Sequence, residues 1–315
     1  MTNQENHYDV IVIGAGPAGL TTGIYLSRAR VKTLILEDNT VGGQMILTHE
    51  IANYPGVESI SGYGLATIMK KQALSFGCKI KTGFSIQSFN LEGNLKTVTL
   101  SDNSEFSAKS IILAPGGRSR TLGVANEDLF KGRGISYCAT CDGDFFTNKE
   151  IIVVGGGNSA LEEAVSLTKH ASKVTIVHQF DHFQAFEHAI IEAKNNPKIN
   201  FIMQSTIAAY NGGEKLESVD IEDLVTHKIS KIPIDGVFVF IGYVPNTEFL
   251  LEKIALNNRQ EIIVDSEMQT NISGVFAAGD ANQKRYRQVS ISVGEATIAA
   301  LSASQFVNQL NKNNI

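Results

Sequence analysis

The chain has 315 residues, a length that suits two domains. Its 27 Lys and Arg against 32 Asp and Glu give a net charge of −5, with 43 % of residues hydrophobic and 19 % charged. This composition excludes a disordered tail, a collagen and a polybasic nucleic-acid binder, and leaves a globular chain able to bury a large core.

The N-terminal MTNQENHYD is polar and lacks the basic-then-apolar pattern of a signal peptide. No apolar run approaches the length of a membrane span. A cytoplasmic protein with neither a membrane nor a nucleic-acid partner is the expectation. The first strong motif is DVIVIGAGPAGL at 9–20. The apolar run 10–13 predicts a strand. It leads into Gly14, Gly16 and Gly19, with Pro17 and Ala18 between them, and then into a helix over 21–30. A second apolar strand, 33–36, ends at Glu37, 23 residues after Gly14. Strand, G-x-G-x-x-G, helix, strand and acid together are the full context of a dinucleotide site. The glycines allow a tight turn and close backbone approach, the helix N-terminus offers N–H groups to a pyrophosphate, and the carboxylate accepts hydrogen bonds from a ribose.

Short strands are expected at 97–100 and 110–113, followed by a glycine-rich bend at 115–117. Cys138 and Cys141 form a C-x-x-C pair. Thiols at this spacing can close a small disulfide ring and exchange with a second disulfide. Cys78, alone ahead of a predicted strand, reads as a small buried hydrophobe. Three cysteines make no disulfide framework, and no second Cys or His pair completes a zinc site, so no metal is expected.

The opening pattern then repeats. A strand at 151–154, a turn at Gly155, Gly156 and Gly157, a helix over 160–170 and a strand at 173–177 form a second dinucleotide-type fold. Apolar runs follow at 235–242 and 271–280. A closing helix is expected over 293–309, with Ile298, Leu301, Phe306 and Leu310 on its apolar side. The expected fold class is therefore α/β, with two Rossmann-like, three-layer domains of FAD/NAD(P)-binding type, the second inserted in the first. The outer domain takes 1–117 and 247–315. The insert, 118–246, is of nicotinamide type and carries the C-x-x-C pair.

Taken together, these residues resemble the low-molecular-weight thioredoxin reductase family over nearly the whole chain. GRGISYCATCDG at 132–143 is similar to the family's redox signature nearly letter for letter. The turn from Gly14 to Gly19 with Glu37 resembles its FAD-binding turn. Gly42, Gly43 and Gln44, and Asn53 followed by Tyr54, Pro55 and Gly56, are similar to its flavin-contacting loops. GVFAAGD at 274–280, ending in Gly279 and Asp280, and Tyr286, Arg287 and Gln288 look like its C-terminal FAD motifs. The resemblance implies a homodimeric flavoprotein that binds FAD and reduces thioredoxin, with Asn53, Asp280 and Gln288 touching the flavin or its phosphate–ribitol chain. It further implies that Cys141 is the flavin-side thiol, that Cys138 attacks the substrate disulfide, and that Asp142 is the general acid protonating the leaving thiolate.

The second fold departs from the family pattern. The residue 23 positions after Gly155 is His178, where an NAD site wants an acid for the ribose. Asp181 is expected beyond the strand end. An NADP site wants Arg beside the 2′-phosphate. NADPH-dependent members of the family carry Arg where this chain has Gln179, Phe180 and Gln184, and none of its eight Arg falls within 134–258. His178, His182 and Lys173 are left to compensate. This pattern resembles the ferredoxin-dependent flavin thioredoxin reductase branch, which works without a pyridine nucleotide, and reduced ferredoxin is the expected donor. Three alternatives stay open: an NAD(P)H-dependent reductase with an unusual nucleotide site, a di-flavin disulfide oxidoreductase, and a non-catalytic flavin redox sensor. No docking patch for ferredoxin is marked; Lys70, Lys71, Lys79 and Lys81 read as a solvated surface.

Overall fold

A computed structural model describes residues 6–48 and 51–313; Met1–Glu5 of the polar N-terminal stretch lie outside them. In chain order, the first stretch runs β1 (His7–Ile13), α1 (Pro17–Arg28), β2 (Thr33–Glu37), α2 (Gly62–Ser75), β3 (Lys79–Thr82), β4 (Ile86–Asn90), β5 (Lys96–Leu100) and β6 (Glu105–Leu113). After β7 (Gly117–Ser119) come α3 (Glu127–Phe130), β8 (Ile135–Ser136), α4 (Ala139–Asp142), β9 (Glu150–Val154), α5 (Asn158–Leu167), β10 (Lys173–Val177), α6 (Glu187–Asn195), β11 (Ile199–Ile202), β12 (Ser205–Gly212), β13 (Leu216–Asp223), β14 (Ile229–Pro233) and β15 (Gly236–Val239). The chain returns through β16 (Tyr243–Pro245) and closes with β17 (Val275–Ala277) and α7 (Val289–Asn313).

Two compact units result: Met1–Arg118 with Val244–Ile315, and Ser119–Tyr243. The crossings, β7 and β16, pair with each other.

In the outer unit, β3, β2, β1, β6 and β17 form a parallel sheet, and the first half of β6 also pairs antiparallel with β5, which pairs with β4. Side chains of β1 alternate between faces. Val10 and Val12 pack into the cluster beneath α1, α2 and α7, whereas Ile11 and Ile13 pack with Leu250, Ile254 and Ile262 on the other face. A strand buried on both faces is apolar at every position, which is why the run 10–13 was continuous rather than alternating.

The closing helix corrects the sequence expectation. It is longer than 293–309, and its buried stripe is Ala296, Ala299, Ala300, Ala303 and Val307, while Ile298 is 40 % and Leu301 59 % exposed. These alanines share a cluster with Ala18, Leu20 and Ile24 of α1. Small residues let two helices approach closely, so the stripe is set by size rather than by hydrophobicity. Helix α1 also starts earlier than expected, at Pro17, and stops at Arg28 because Arg30 takes the left-handed conformation with φ 59°.

In the inserted unit, β11, β10, β9, β15 and β8 form a parallel sheet. Ile151 and Val153 face α5 and α6, while Ile152 and Val154 face the antiparallel sheet β12–β13–β14. Glycine at 236 is required by the Phe146 ring, which would lie 2.1 Å from a Cβ there. Among the described residues, no helix is long and apolar enough to cross a membrane.

Candidate cofactor cradle and dithiol site

The outer unit gathers the residues expected at the cofactor. Gly14 has φ +102°, and a Cβ on it would stand 2.1 Å from the Ala114 carbonyl oxygen; on Gly19 it would stand 1.9 Å from the Gly14 carbonyl. Both positions admit only glycine, which folds β1 into α1 within a tight loop. Pro17 occupies the first turn of α1, the Gly16 N-cap offers no side-chain cap, and no acid lies in that turn. The helix therefore starts with unsatisfied N–H groups and the positive end of its dipole, which suits a pyrophosphate.

Neighbouring loops close around this turn. The Gly42 N–H donates to the Ala15 carbonyl at 2.8 Å. A Cβ on Gly43 would come within 3.1 Å of Gly16 Cα, so the two glycines face each other. Gln44 follows, exposed, at the start of a short 3-10 turn. At the end of β2, Glu37 accepts the Ala15 N–H at 2.7 Å through Oε2 and the Asn39 N–H at 3.0 Å through Oε1. Burial, and next the adjacent Asp38, push its pKa up. Gly279 sits against α1, since a Cβ there would be 2.9 Å from that of Ala18.

Asp280 is buried. Its Oδ1 accepts the Ser292 hydroxyl at 2.9 Å, and burial raises its pKa against the opposing effects of Ser292, Lys284 and Arg287. Arg287 donates to the Asp280 carbonyl at 3.2 Å and also binds Glu261. Beside it, Gln288 accepts from Asn53 at 3.3 Å, joining residues 235 positions apart. The sequence reading missed Glu261, Ser292, Glu295 and Lys284. Glu295 accepts the Gly279 N–H at 2.9 Å and binds Lys284, tying α7 to the turn before Asp280. Each is one polar residue outside any motif, so no spacing announced it. The residues present fit FAD: the Gly16–Gly43 gap, the uncapped helix start and the Glu37 carboxylate match its pyrophosphate and ribose.

The inserted unit holds the dithiol. Cys138 and Cys141 are joined in a disulfide with Cα atoms 5.3 Å apart. Cys138 caps the single turn α4, and its Sγ accepts the Cys141 N–H at 3.2 Å. The Asp142 carboxylate accepts the Ser136 hydroxyl at 2.6 Å; burial raises its pKa, opposed by that bond and assisted by Asp144. Cys78 is elsewhere, in the outer unit, buried, with its thiol pushed up to about 11.

The second glycine turn is built on the same plan, with different fittings. Gly155 has φ +137°, and a Cβ on Gly156 would touch the His178 ring at 2.4 Å. His178 is buried, bonds the His182 carbonyl at 3.1 Å through Nε2, and has its pKa lowered by burial. It stacks on Phe183 and meets Phe180 edge-on. The loop returns to the turn as the Gln184 N–H donates to the Gly156 carbonyl at 2.8 Å. Exposed His182 is held by Asp181 at 2.6 Å. Lys173 cannot compensate for the missing arginines, contrary to the sequence expectation. It opens β10 and pairs with Glu150, the first residue of β9, at 3.3 Å, whereas nucleotides bind outside the carboxyl ends of such strands.

Fold and site together define a dinucleotide-binding disulfide oxidoreductase. Residues 8–296 match the family model of pyridine nucleotide-disulphide oxidoreductases. The chain is 43 % identical over 310 residues to a thioredoxin reductase of Peptoclostridium acidaminophilum, covering 96 % of this chain and 98 % of the relative. It is 40 % identical over 304 residues to a "34.2 kDa protein in rubredoxin operon" of Clostridium pasteurianum, with 96 % and 98 % covered. The crystal structure of thioredoxin reductase from Streptococcus pyogenes superposes with a TM-score of 0.93 at 37 % identity, covering 96 % and 99 %. The chain belongs to the pyridine nucleotide-disulphide oxidoreductase family and, within it, to the low-molecular-weight thioredoxin reductases. It is a flavoprotein disulfide reductase whose cofactor is FAD and whose substrate partner is thioredoxin.

Proposed function

We propose that this reductase draws its electrons from reduced ferredoxin rather than from NADPH. The loop after β10 carries this reading. At the three places where a 2′-phosphate needs guanidinium groups stand Gln179, Phe180 and Gln184, and His178, buried against the glycine turn, has its pKa lowered by that burial. Each charge-assisted contact to a phosphate contributes roughly 1.5–3 kcal/mol, so their loss weakens NADPH binding by orders of magnitude. The relative named for a rubredoxin operon supports a setting of small one-electron iron proteins. A plant-type ferredoxin lies near −400 mV and thioredoxin near −270 mV, a drop of about 130 mV, or roughly 6 kcal/mol for two electrons.

FAD, when bound, would supply the reducing electron pair for the Cys138–Cys141 disulfide, and Asn53, Asp280 and Gln288 would hold the flavin and its ribitol chain. On the protein side, two electrons and two protons convert that disulfide to two thiols. The Cys138 thiolate then attacks a thioredoxin sulfur, forming a mixed disulfide as the substrate S–S bond breaks, and the departing sulfur takes a proton from Asp142. Cys141, once ionised, attacks Cys138; the Cys138–Cys141 bond re-forms and the second thioredoxin sulfur leaves as a thiol. The reductase is read as a cytoplasmic homodimer, which would cover the exposed Tyr63 and Ile68 of α2 and Ile298 and Leu301 of α7.

The test is anaerobic mixing of the purified yellow protein with NADPH, NADH or reduced ferredoxin, following the flavin's visible band. Ferredoxin alone should bleach it rapidly and support thioredoxin reduction. Rapid bleaching by micromolar NADPH overturns the reading.

A further inference from the structure

Ser136, the last residue of β8, lies buried between the dithiol and the acid. Its Oγ accepts the Cys138 N–H at 3.1 Å and stands 2.6 Å from Asp142 Oδ2. The Cys138 amide can only donate, so the serine hydrogen is free to point elsewhere. Two acceptors are in reach, the Cys138 carbonyl at 3.3 Å and Asp142 Oδ2 at 2.6 Å. The carboxylate is closer, and hydrogen bonds to carboxylates are the shorter and stronger kind. Asp142 Oδ2 is therefore occupied as an acceptor, which leaves Oδ1 to carry the acid proton.

We propose that Ser136 is a positioning residue for the dithiol reaction, fixing Asp142 so that Oδ1 delivers the proton to the leaving thiolate. This rests on the reading of Asp142 as the general acid. In the step concerned, Cys138 Sγ bonds to one substrate sulfur while the substrate S–S bond breaks. The other sulfur departs with the electron pair and takes the Oδ1 proton, and the resulting carboxylate keeps the serine bond on Oδ2. The same amide contact couples the hydroxyl to the backbone of Cys138, so one side chain sets both nucleophile and acid.

The hydroxyl also favours the ionised carboxylate and so opposes the upward effect of burial. The other groups near Asp142 are Asp144, on the following turn, which raises its pKa, and His170, in the turn after α5, whose ring lies against the neighbouring Gly143. Removing the hydroxyl should make Asp142 hold its proton to higher pH.

The experiment uses holoenzyme reduced with one equivalent of dithionite and mixed with oxidised thioredoxin, the new thioredoxin dithiol being counted across a pH series. Wild type is compared with Ser136→Ala, Ser136→Val, Ser136→Thr and Asp142→Asn. Loss of the hydroxyl should move the alkaline limb of the rate up by about one pH unit and lower the plateau about tenfold, as expected for a charge-assisted bond. Ser136→Thr should restore both, and because Val has the shape of Thr, the Thr–Val difference isolates the hydroxyl even if Ser136→Ala folds poorly. If the limb is the same in Thr and Val variants while Asp142→Asn is slow, the role of Ser136 is refuted and the acid reading stands. If Asp142→Asn keeps the wild-type rate and profile, the acid reading itself fails.

Discussion

The strongest test of the electron-donor reading is to rebuild the phosphate site. In Gln179→Arg/Phe180→Arg/Gln184→Arg the three guanidinium groups return to a loop that already folds back on Gly156. All three positions are exposed, so solvent screening reduces each contact to about 1 kcal/mol, below the value of a buried charge-assisted bond. Three such contacts give about 3 kcal/mol, or roughly a hundredfold in the Kd for NADPH. NADH, without the 2′-phosphate, should gain far less. The change removes the Phe180 edge contact to His178 and its stacking on His182. Because Phe180 is already 39 % exposed, this should cost stability only about 1 kcal/mol. The assay is anaerobic flavin bleaching against NADPH concentration, with the wild type and NADH as references. A triple variant with no gain for NADPH over NADH would show that this loop is not where a 2′-phosphate is read, and the reasoning from Gln179, Phe180 and Gln184 would fail.

Further outcomes are expected. Cys138→Ser and Cys141→Ser should each abolish thioredoxin turnover while the bound flavin spectrum is kept; full activity in either removes the dithiol route. Gly14→Ala should yield protein without FAD, because φ +102° strains any side chain by about 1–3 kcal/mol and the added carbon meets the Ala114 carbonyl at 2.1 Å; a normal flavin content would contradict this. Asp280 has a pKa raised in the fold, so the protein loses stability as pH rises through that value and this carboxyl ionises. Apo Asp280→Asn should therefore melt above wild type at alkaline pH, with the gap closing on acidification, a comparison made by calorimetry. Alkylation of the native oxidised protein should label no cysteine, and of the reduced protein two, since Cys78 is buried with its thiol pushed up to about 11.

Some of this molecule was legible in its sequence for identifiable reasons. The first dinucleotide turn could be read because Gly14 and Gly19 are dictated by collisions with nearby carbonyls, a constraint that leaves one residue type. The dithiol was readable because its chemistry lies between neighbours in sequence. Helix α7 was misread because apolar spacing weights large side chains, whereas close packing on α1 selects alanine at 296, 299, 300 and 303. Glu261, Glu295 and Ser136 escaped because their partners, Arg287, Gly279 and Asp142, are set by tertiary approach or by a turn. Lys173 was offered as partial compensation for the missing arginines, but it opens its strand beside Glu150, away from the carboxyl end where nucleotides bind.

The paired crossings carry a consequence for how such a chain can arise. Within the insert, the Arg120 N–H meets the Gly242 carbonyl at 2.9 Å, so the ends of that unit are neighbours; within the outer unit, the Asn246 N–H meets the Gly116 carbonyl at 3.0 Å, so the ends it is grafted onto are neighbours too. Matching ends of this kind let a coding segment enter or leave a gene while the strands on either side keep their partners. The host half can thus retain its flavin cradle while successive inserts bring different electron inputs.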